Sequence, residues 1–459
     1  MNYRTERDAL GSVKVPSEAY YGSETERAIT NFKISGLKVY TEFIRAYIMI
    51  KRAAAVANMK SGKLDKKIQQ SIIKACDILL KGSLADQFPI DVFQAGAGTN
   101  TNMNVNEVIA NLALELYGKK RGDYSTIHPN DHVNMSQSTN DTYHAAIHVA
   151  SYLAIHEKLL PSLYKLSKTL ESKSKAFNDI IMIGRTHLRD AVPIKLGQEY
   201  YGYSGAVSKS AEIILHESSR LLELPIGGTA VGTGINTTPR YKQNVIIELN
   251  RFSGKKFLAS KNIFADMQNQ IEELSIANAL SSTAVTLGKI ANDVRLESSG
   301  PVSGLNEISI PEVQPGSSIM PGKINPSVAE MLNMVCFQVI GNASVVREAA
   351  SAGQFELNVF MPVISYNLLY SIKILTNAID TFTDRCISGI RANTKSISNN
   401  LKRNLSIATA LTPYIGYSKA AEIANEAYRK NISVKEACIK AKVLDEKTLD
   451  SLLDPSKYV

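Results

Sequence analysis

Between about residues 139 and 391 the chain repeats one pattern, apolar residues at helical spacing over stretches too long for ordinary strands. Leu159, Leu163, Leu166 and Leu170 step by four, three and four, which places all four on one helix face. Pro161, inside that stripe, predicts a kink. Ala277, Ala279, Ser281, Ser282, Ala284, Gly288 and Ala291 form a small-residue segment that lets helices approach closely. Val328, Met331, Leu332, Val335 and Val339 make another stripe. Few strand signals accompany them. The chain is therefore expected to be all-α, a bundle of long helices with its polar loops at the ends.

Smaller pieces flank the bundle, and the expected division is residues 1–138, 139–391 and 392–459. Residues 1–36 carry turn formers with little periodicity and read as an irregular arm. Helices are predicted over Thr41 to Met59, Lys66 to Leu80 and about Asn104 to Tyr117. Asp86 to Thr99 reads as a short extended piece ending in a flexible turn. Arg391 to Asn404, rich in Asn, Ser and Lys, is the best linker candidate, and a small helical piece follows it.

Charge excludes some functions. Lys and Arg number 52 against 43 Asp and Glu, but the densest basic run is Lys119-Lys120-Arg121. That is too short for a nucleic-acid or membrane footprint, so neither partner is expected. Cys76, Cys336, Cys386 and Cys438 lie far apart with no Cys-x-x-Cys, against a disulfide framework or a cysteine zinc site. With a charged N-terminus and no apolar run judged long enough to cross a bilayer, a cytoplasmic protein is expected. Two histidine pairs have i, i+4 spacing. Pro129 spoils His128 and His132 as a helical metal pair, and His144 and His148 lack a third ligand in sequence, so no metal is expected.

Three polar regions interrupt the helices: Gly96 to Asn104 with His128 to Asp141, then Gly184 to Asp190, then Pro315 to Pro326. The last reads Pro-Gly-Ser-Ser-Ile-Met-Pro-Gly-Lys-Ile-Asn-Pro, a loop by its glycines and prolines. It brings Ser317, Ser318, Lys323 and Asn325 together, a set suited to an anionic substrate whose charge grows during reaction. A phosphate-binding loop is disfavoured, because five residues separate Gly316 from Gly322 and Ile324 follows the lysine. The plainer alternative is a surface turn opening a helix, with Asn325 as N-cap and Pro326 at the first helical position.

In order, these regions resemble the three signature regions of the class II fumarase and aspartase superfamily, nearly end to end. The resemblance implies an all-helical homotetramer whose active sites are each built from three subunits, acting on a small dicarboxylate without a cofactor. It implies removal of a proton beside a carboxylate and expulsion of a group from the next carbon, leaving fumarate. Ser317 would be the base, and Lys323 and Asn325 would hold the carboxylate that takes up charge, with Ser318 and Met320 beside them. Thr186 and His187 match a Thr-His pair near the departing group. Glu330 matches the carboxylate that partners that histidine, although Ser327 to Glu330 also has capping-box spacing. Thr99, Ser138, Thr139 and Asn140 match positions for the second carboxylate and the leaving group. For Ser138 to Asn140 a helix N-cap is the plainer alternative. His128, Asn130 and Asp131 match a second anion pocket seen in fumarases.

Two reactions compete. Asp86 to Thr99, with Ala97 where fumarases usually carry serine, and Met135 to Asn140 resemble aspartases, as do Gly304 to Glu307 and Ala19 to Gly22. Pro321-Gly-Lys323, Gly227 to Gly234 and Gly416 to Ala421 resemble fumarases. His144 replaces a proline usual in both groups, and Arg189 a common glutamine. Weighting the residues that would face substrate, loss of ammonia from L-aspartate is the expected activity, with hydration of fumarate to L-malate as the alternative. A non-catalytic structural homologue is a remote third reading, since the serine, lysine and histidine are all present.

Overall fold

A computed structural model describes residues 2–459, and helices dominate it. The N-terminal residues form an antiparallel hairpin of β1 (Tyr3–Asp8) and β2 (Gly11–Pro16), then α1 (Ser23–Asn31). There follow α2 (Thr41–Lys60), α3 (Lys66–Leu80), α4 (Thr99–Leu116), α5 (Thr139–Ala154) and α6 (Leu160–Ala176). A second hairpin, β3 (Ile181–Thr186) and β4 (Arg189–Lys195), leads into α7 (Leu196–Ser218). Next come β5 (Glu223–Leu224), α8 (Tyr241–Ser253), β6 (Leu258–Ala259), α9 (Ile263–Gln268) and α10 (Ile271–Glu297). After β7 (Ile308–Ser309) stand α11 (Ser327–Ser351) and α12 (Met361–Arg385). The chain closes with β8 (Arg391–Ala392), α13 (Thr394–Leu401), α14 (Thr412–Ile415), α15 (Tyr417–Lys430), α16 (Val434–Ala441) and α17 (Glu446–Leu452).

By its own contacts the chain divides into two units. One comprises Met1–Leu160, Glu212–Ser282 and Phe337–Leu375, the other Pro161–Ala211, Thr283–Cys336 and Thr376–Val459. The cuts fall after the first residue of α6 and inside α7, α10, α11 and α12, so the last four long helices contribute substantially to both.

In the first unit α2 packs against α3, α5 and α8. Phe43, Tyr47, Ile50, Ala54 and Ala57 are completely buried, the inward face that the periodicity predicts. Phe43, Tyr47 and Tyr143 form an aromatic cluster with ring centroids 4.6 to 6.0 Å apart. In the second unit Leu163, Leu166 and Leu170 are completely buried. Ser167 Oγ lies 3.1 Å from Ser204 Oγ and 2.8 Å from Ser208 Oγ, a close approach of α6 to α7 that small side chains permit. Ala408, Leu411, Ile423, Ala427, Val434, Ala437 and Leu449 make a separate core for the C-terminal helices.

Several local expectations need correction. Residues 1–36 are not an irregular arm: Arg4 donates to the carbonyls of Pro16, Ala19 and Tyr21, which holds the hairpin and the approach to α1 in place. Arg391 to Asn404 is not a free linker, because β8 pairs with β7 and α13 follows. The helix expected from Asn104 begins at Thr99, its first turn carrying polar residues that apolar periodicity does not register. Ahead of Pro161 the helical chain passes through a wide π turn, Ile155–Leu159. Finally, α11 is long and apolar enough to cross a membrane by length and composition, although no single apolar run in the sequence suggested it. It alternates small and apolar residues with single polar ones, and Met334 and Phe337 stand exposed on it.

Gly98 joins the polar turn at Gly96–Gly98 to α4, with φ of +84°. A Cβ there would overlap the Tyr143 ring. Replacing Gly98 by alanine is expected to destabilise the protein by about 1–3 kcal/mol, read from the urea unfolding midpoint, since both backbone and ring must yield. An unchanged midpoint would contradict this packing.

Candidate active site

The loop that carries Ser317 is closed on itself. The Gly316 amide donates to the Lys323 carbonyl at 2.9 Å, and Asn325 Nδ2 donates to the Gly316 carbonyl at 2.5 Å. A Cβ on Gly316 would collide with the Lys323 carbonyl oxygen, so closure at this point requires glycine. Gly322, with φ of +77°, makes the return. Inside the ring the backbone amides of Ile319 and Met320 donate to Ser317 Oγ at 3.2 and 2.9 Å. Two aligned amides lower the cost of placing negative charge on that oxygen. The same bonds are those of a local serine turn, so the structural and chemical readings of Ser317 coincide. Ser318, Met320 and Lys323 are exposed, and Asn325 is half-buried with its carboxamide nitrogen committed to the loop rather than to capping α11. Glu330 lies in the first turn of α11, half-buried.

Thr186 and His187 do not lie on a loop, as the sequence suggested, but at the tip of the β3–β4 hairpin. Thr186 pairs with Arg189, leaving His187 and Leu188 as a two-residue connection with φ of 56° and 57°. Positive φ at both positions is the type I′ pattern, normally made by Asn-Gly. Here it is made by residues that favour it little, which is why the hairpin is hard to foresee and which aims an exposed His187 outward. Just behind the tip, Arg185 makes a two-pronged pair with the fully buried Glu307, at 2.7 and 2.6 Å. Glu307 immediately precedes β7, so this pair ties the histidine hairpin to the strand that leads toward the serine loop.

The other unit holds the remaining residues. Thr99 is exposed at the first position of α4. Ser138 caps α5: its Oγ accepts from the Asn140 amide at 3.2 Å, and Asp141 accepts from the Ser138 amide at 3.0 Å. The plainer reading of Ser138 is thus present in the fold. Thr139 Oγ1 accepts from Asn102 Nδ2 at 2.9 Å, and Asn140 Nδ2 donates to the Ala230 carbonyl at 2.8 Å, leaving its oxygen for other work. His128 caps the turn Pro129–Val133, its Nδ1 accepting from the Asn130 and Asp131 amides at 3.1 and 3.2 Å, while Asn130 and Asp131 are exposed. His132 Nδ1 accepts from the His128 amide, so both rings are committed to backbone.

Sequence reasoning missed what supports these residues. Lys51 is completely buried and donates to Asn102 Oδ1 and Asn134 Oδ1, both at 2.7 Å. Asn102 in turn holds Thr139. Asp141, also completely buried, accepts from the Gly227 and Thr229 amides at 2.9 and 3.2 Å. A lysine on the face otherwise formed by Tyr47, Ile48 and Ala54 was the available signal. Burial pushes Lys51 down to about 7, against the pull of Asp141, and pushes Asp141 up to about 6 despite its backbone bonds and Lys51.

Residues 11–341 match a family profile described as lyase, and residues 407–459 match one described as the C-terminus of fumarase C. The chain is thus a lyase by its family. A class II fumarate hydratase of Helicobacter pylori is 47% identical over 459 residues, covering all of this chain and 99% of that one. An aspartate ammonia-lyase of a Bacillus species is 45% identical over 452 residues, covering 98% of this chain and 96% of that one. The solved structure of a fumarate lyase:delta crystallin from Brucella melitensis bound to cobalt matches with a TM-score of 0.96 at 44% identity, covering 100% of this chain and 99% of that one. The chain belongs to the fumarase/aspartase superfamily.

Lys51 yields a prediction on pH. From about pH 7 to its ordinary value of 10.5, the unfolded chain holds a proton that the folded chain has released. The unfolded state binds more protons there, so this group makes stability rise with pH through that window. In Lys51→Met that contribution disappears. Urea unfolding at pH 7.5 to 9.5 is expected to give a shallower rise in the variant than in the unmodified protein, whatever their absolute stabilities. Equal slopes would show that Lys51 does not titrate as its burial requires.

Proposed function

We propose that this chain is a class II fumarate hydratase, catalysing the reversible hydration of fumarate to L-malate. The observation that carries this reading is similarity to fumarate hydratases along the full length, 47% and 46% identical over 459 residues, together with the fumarase C-terminal match. It replaces aspartate ammonia-lyase as the preferred reading. Asp86 to Thr99, Met135 to Asn140, Gly304 to Glu307 and Ala19 to Gly22 favour aspartase, while the fumarase-like Pro321-Gly-Lys323, Gly227 to Gly234 and Gly416 to Ala421 agree with the whole-chain likeness. Ala97 keeps deamination as the second reading, because alanine offers no hydroxyl to a departing water.

In the malate-to-fumarate direction, Ser317 takes the proton from the carbon beside one carboxylate, its oxygen supported by the Ile319 and Met320 amides. Lys323 and Asn325 hold the carboxylate that gains charge. His187, with Glu330 as its carboxylate partner, assists the departing hydroxyl alongside Thr186. Thr99, Thr139 and Asn140 hold the second carboxylate and the leaving group, with Ser138 setting the start of their helix. Ser318 and Met320 flank the base. His128, Asn130 and Asp131 remain candidates for a second anion pocket.

Such chemistry gains from excluding bulk water while admitting the one molecule that reacts, yet His187, Lys323 and Thr99 are exposed in the single chain. Tyr201, Val285, Met334 and Phe337, all more than half exposed, lie on α7, α10 and α11 and leave apolar side chains for further copies to cover. Assembly as a homotetramer with sites shared among three subunits accounts for both observations.

Ser317→Ala should reduce turnover by roughly a hundred- to ten-thousandfold with an unchanged thermal midpoint. Activity within a factor of two of the unmodified protein would remove Ser317 as the base. Fumarate formation is to be followed separately with L-malate and with L-aspartate, with malate expected as the far better substrate. Ammonia release from aspartate without fumarate hydration would replace this reading by the second one. Refolding Ser317→Ala together with Thr99→Ala is expected to restore partial activity, as mixed tetramers regain some intact sites; verified mixed tetramers that stay inactive would refute the shared site.

A further inference from the structure

His144 and His148 stand one turn apart on α5, facing Glu273 in the first turn of α10. All three side chains are sealed from solvent, at 0%, 2% and 0% exposure. Their Nε2 atoms lie 2.9 and 3.0 Å from the same carboxylate oxygen, Glu273 Oε1. Proximity is not satisfaction here. Neither Nε2 nor either carboxylate oxygen completes a well-aligned hydrogen bond, so charge attraction between the rings and Glu273 is what holds the apo cluster.

The outer partners explain what the inner atoms present. His148 Nδ1 lies 2.7 Å from the Glu223 carbonyl oxygen, which can only accept, so Nδ1 carries the proton. In the neutral ring, Nε2 then turns a lone pair toward the carboxylate. Beside His144, the Gln270 amide lies 3.4 Å from Nδ1, and Gln270 Oε1 is buried without a partner. The same Gln270 nitrogen donates to the Asn269 carbonyl at 3.1 Å, so His144 Nδ1 accepts and its Nε2 carries the proton, which must leave Nε2 when a metal ion binds there. A carbonyl oxygen fixing the far nitrogen, as at His148, is how metal-binding histidines are oriented. The cluster thus gathers three possible ligand atoms within 4.8 Å of one another at a buried place, a set that suits a cation once His144 Nε2 gives up its proton.

We propose that His144, His148 and Glu273 bind one divalent metal ion of zinc's class. Glu273 is the third ligand that the sequence did not reveal, and it corrects the expectation that the histidine pair stands alone. Two imidazoles and one carboxylate suit zinc and its neighbours, whereas calcium and magnesium favour oxygen alone and copper(I) favours sulfur. Tetrahedral bonds of about 2.0–2.1 Å set ligand atoms about 3.3 Å apart, so each imidazole nitrogen withdraws from Glu273 Oε1 by a few tenths of an ångström to accept the ion. The fourth position falls to a water molecule or to the second Glu273 oxygen. Bound there, the ion joins α5, which begins with Ser138 to Asn140, to the first turn of α10. Its role is structural and independent of which substrate the enzyme takes.

The test uses the full-length protein, stripped with a chelator and titrated with Zn²⁺ by calorimetry and with Co²⁺ by visible absorption. One ion per chain is expected, with the intense visible bands of four-coordinate cobalt and a rise in thermal midpoint on adding zinc. Glu273→Gln and His144→Gln should each weaken binding by about a hundredfold or more and abolish the zinc-dependent rise. Failure of the unmodified protein to bind Zn²⁺ and Co²⁺ would leave a buried histidine–glutamate ion pair and overturn the proposal. So would binding that both substitutions leave unchanged, the mark of adventitious surface ligands. If a variant does not fold, the stoichiometry and cobalt spectrum of the unmodified protein still decide.

Discussion

A carboxylate can remain buried only if its oxygens are hydrogen-bonded, and Asp141 meets that condition with backbone amides from two separate segments. Its oxygens accept from Ser138 at the start of α5 and from Gly227 and Thr229 in the loop before α8. One side chain thereby fixes both the direction of α5 and the loop that lies across it. Lys51 completes the arrangement through Asn102 and Asn134, and Asn102 reaches Thr139. Each partner would be costly to bury alone. Together they hold Thr139 and Asn140 on a base that cannot relax locally.

The second unit reaches a comparable rigidity by other means. A ring closed through Gly316 and Asn325 defines the serine loop, while the Arg185–Glu307 pair defines the hairpin that presents His187. In the hairpin the residue proposed to meet substrate, His187, is exposed and Glu307, which anchors its support, is buried. That separation suits an enzyme, because supporting interactions far from water stay strong while the reactive groups remain reachable. Positive φ at His187 and Leu188 shows backbone strain at the tip of the same hairpin.

Exposed apolar residues on the long helices and exposed catalytic candidates are two aspects of one design. A helix such as α11, apolar enough to resemble a membrane span, has exposed apolar residues that the proposed homotetramer would cover. Interior packing of one chain cannot use them.

The sequence by itself determined the helical class, the extents of α2 and α3 to within a residue, and the loop character of Pro315 to Pro326. These follow from local rules, since helical periodicity and the Gly-Pro punctuation of loops are written in neighbouring residues. It could not distinguish Ser317 as a turn hydroxyl from Ser317 as a base, because both roles use the same two amides. Only the tertiary structure decided that Thr186 and His187 tip a hairpin, since the type I′ connection there lacks Asn-Gly and is sustained by Arg185 and Glu307. It alone brought Glu273 to His144 and His148, and Lys51 to Asn134. Contacts between residues distant along the chain depend on how helices pack, and nothing in local spacing records which buried polar group will face which.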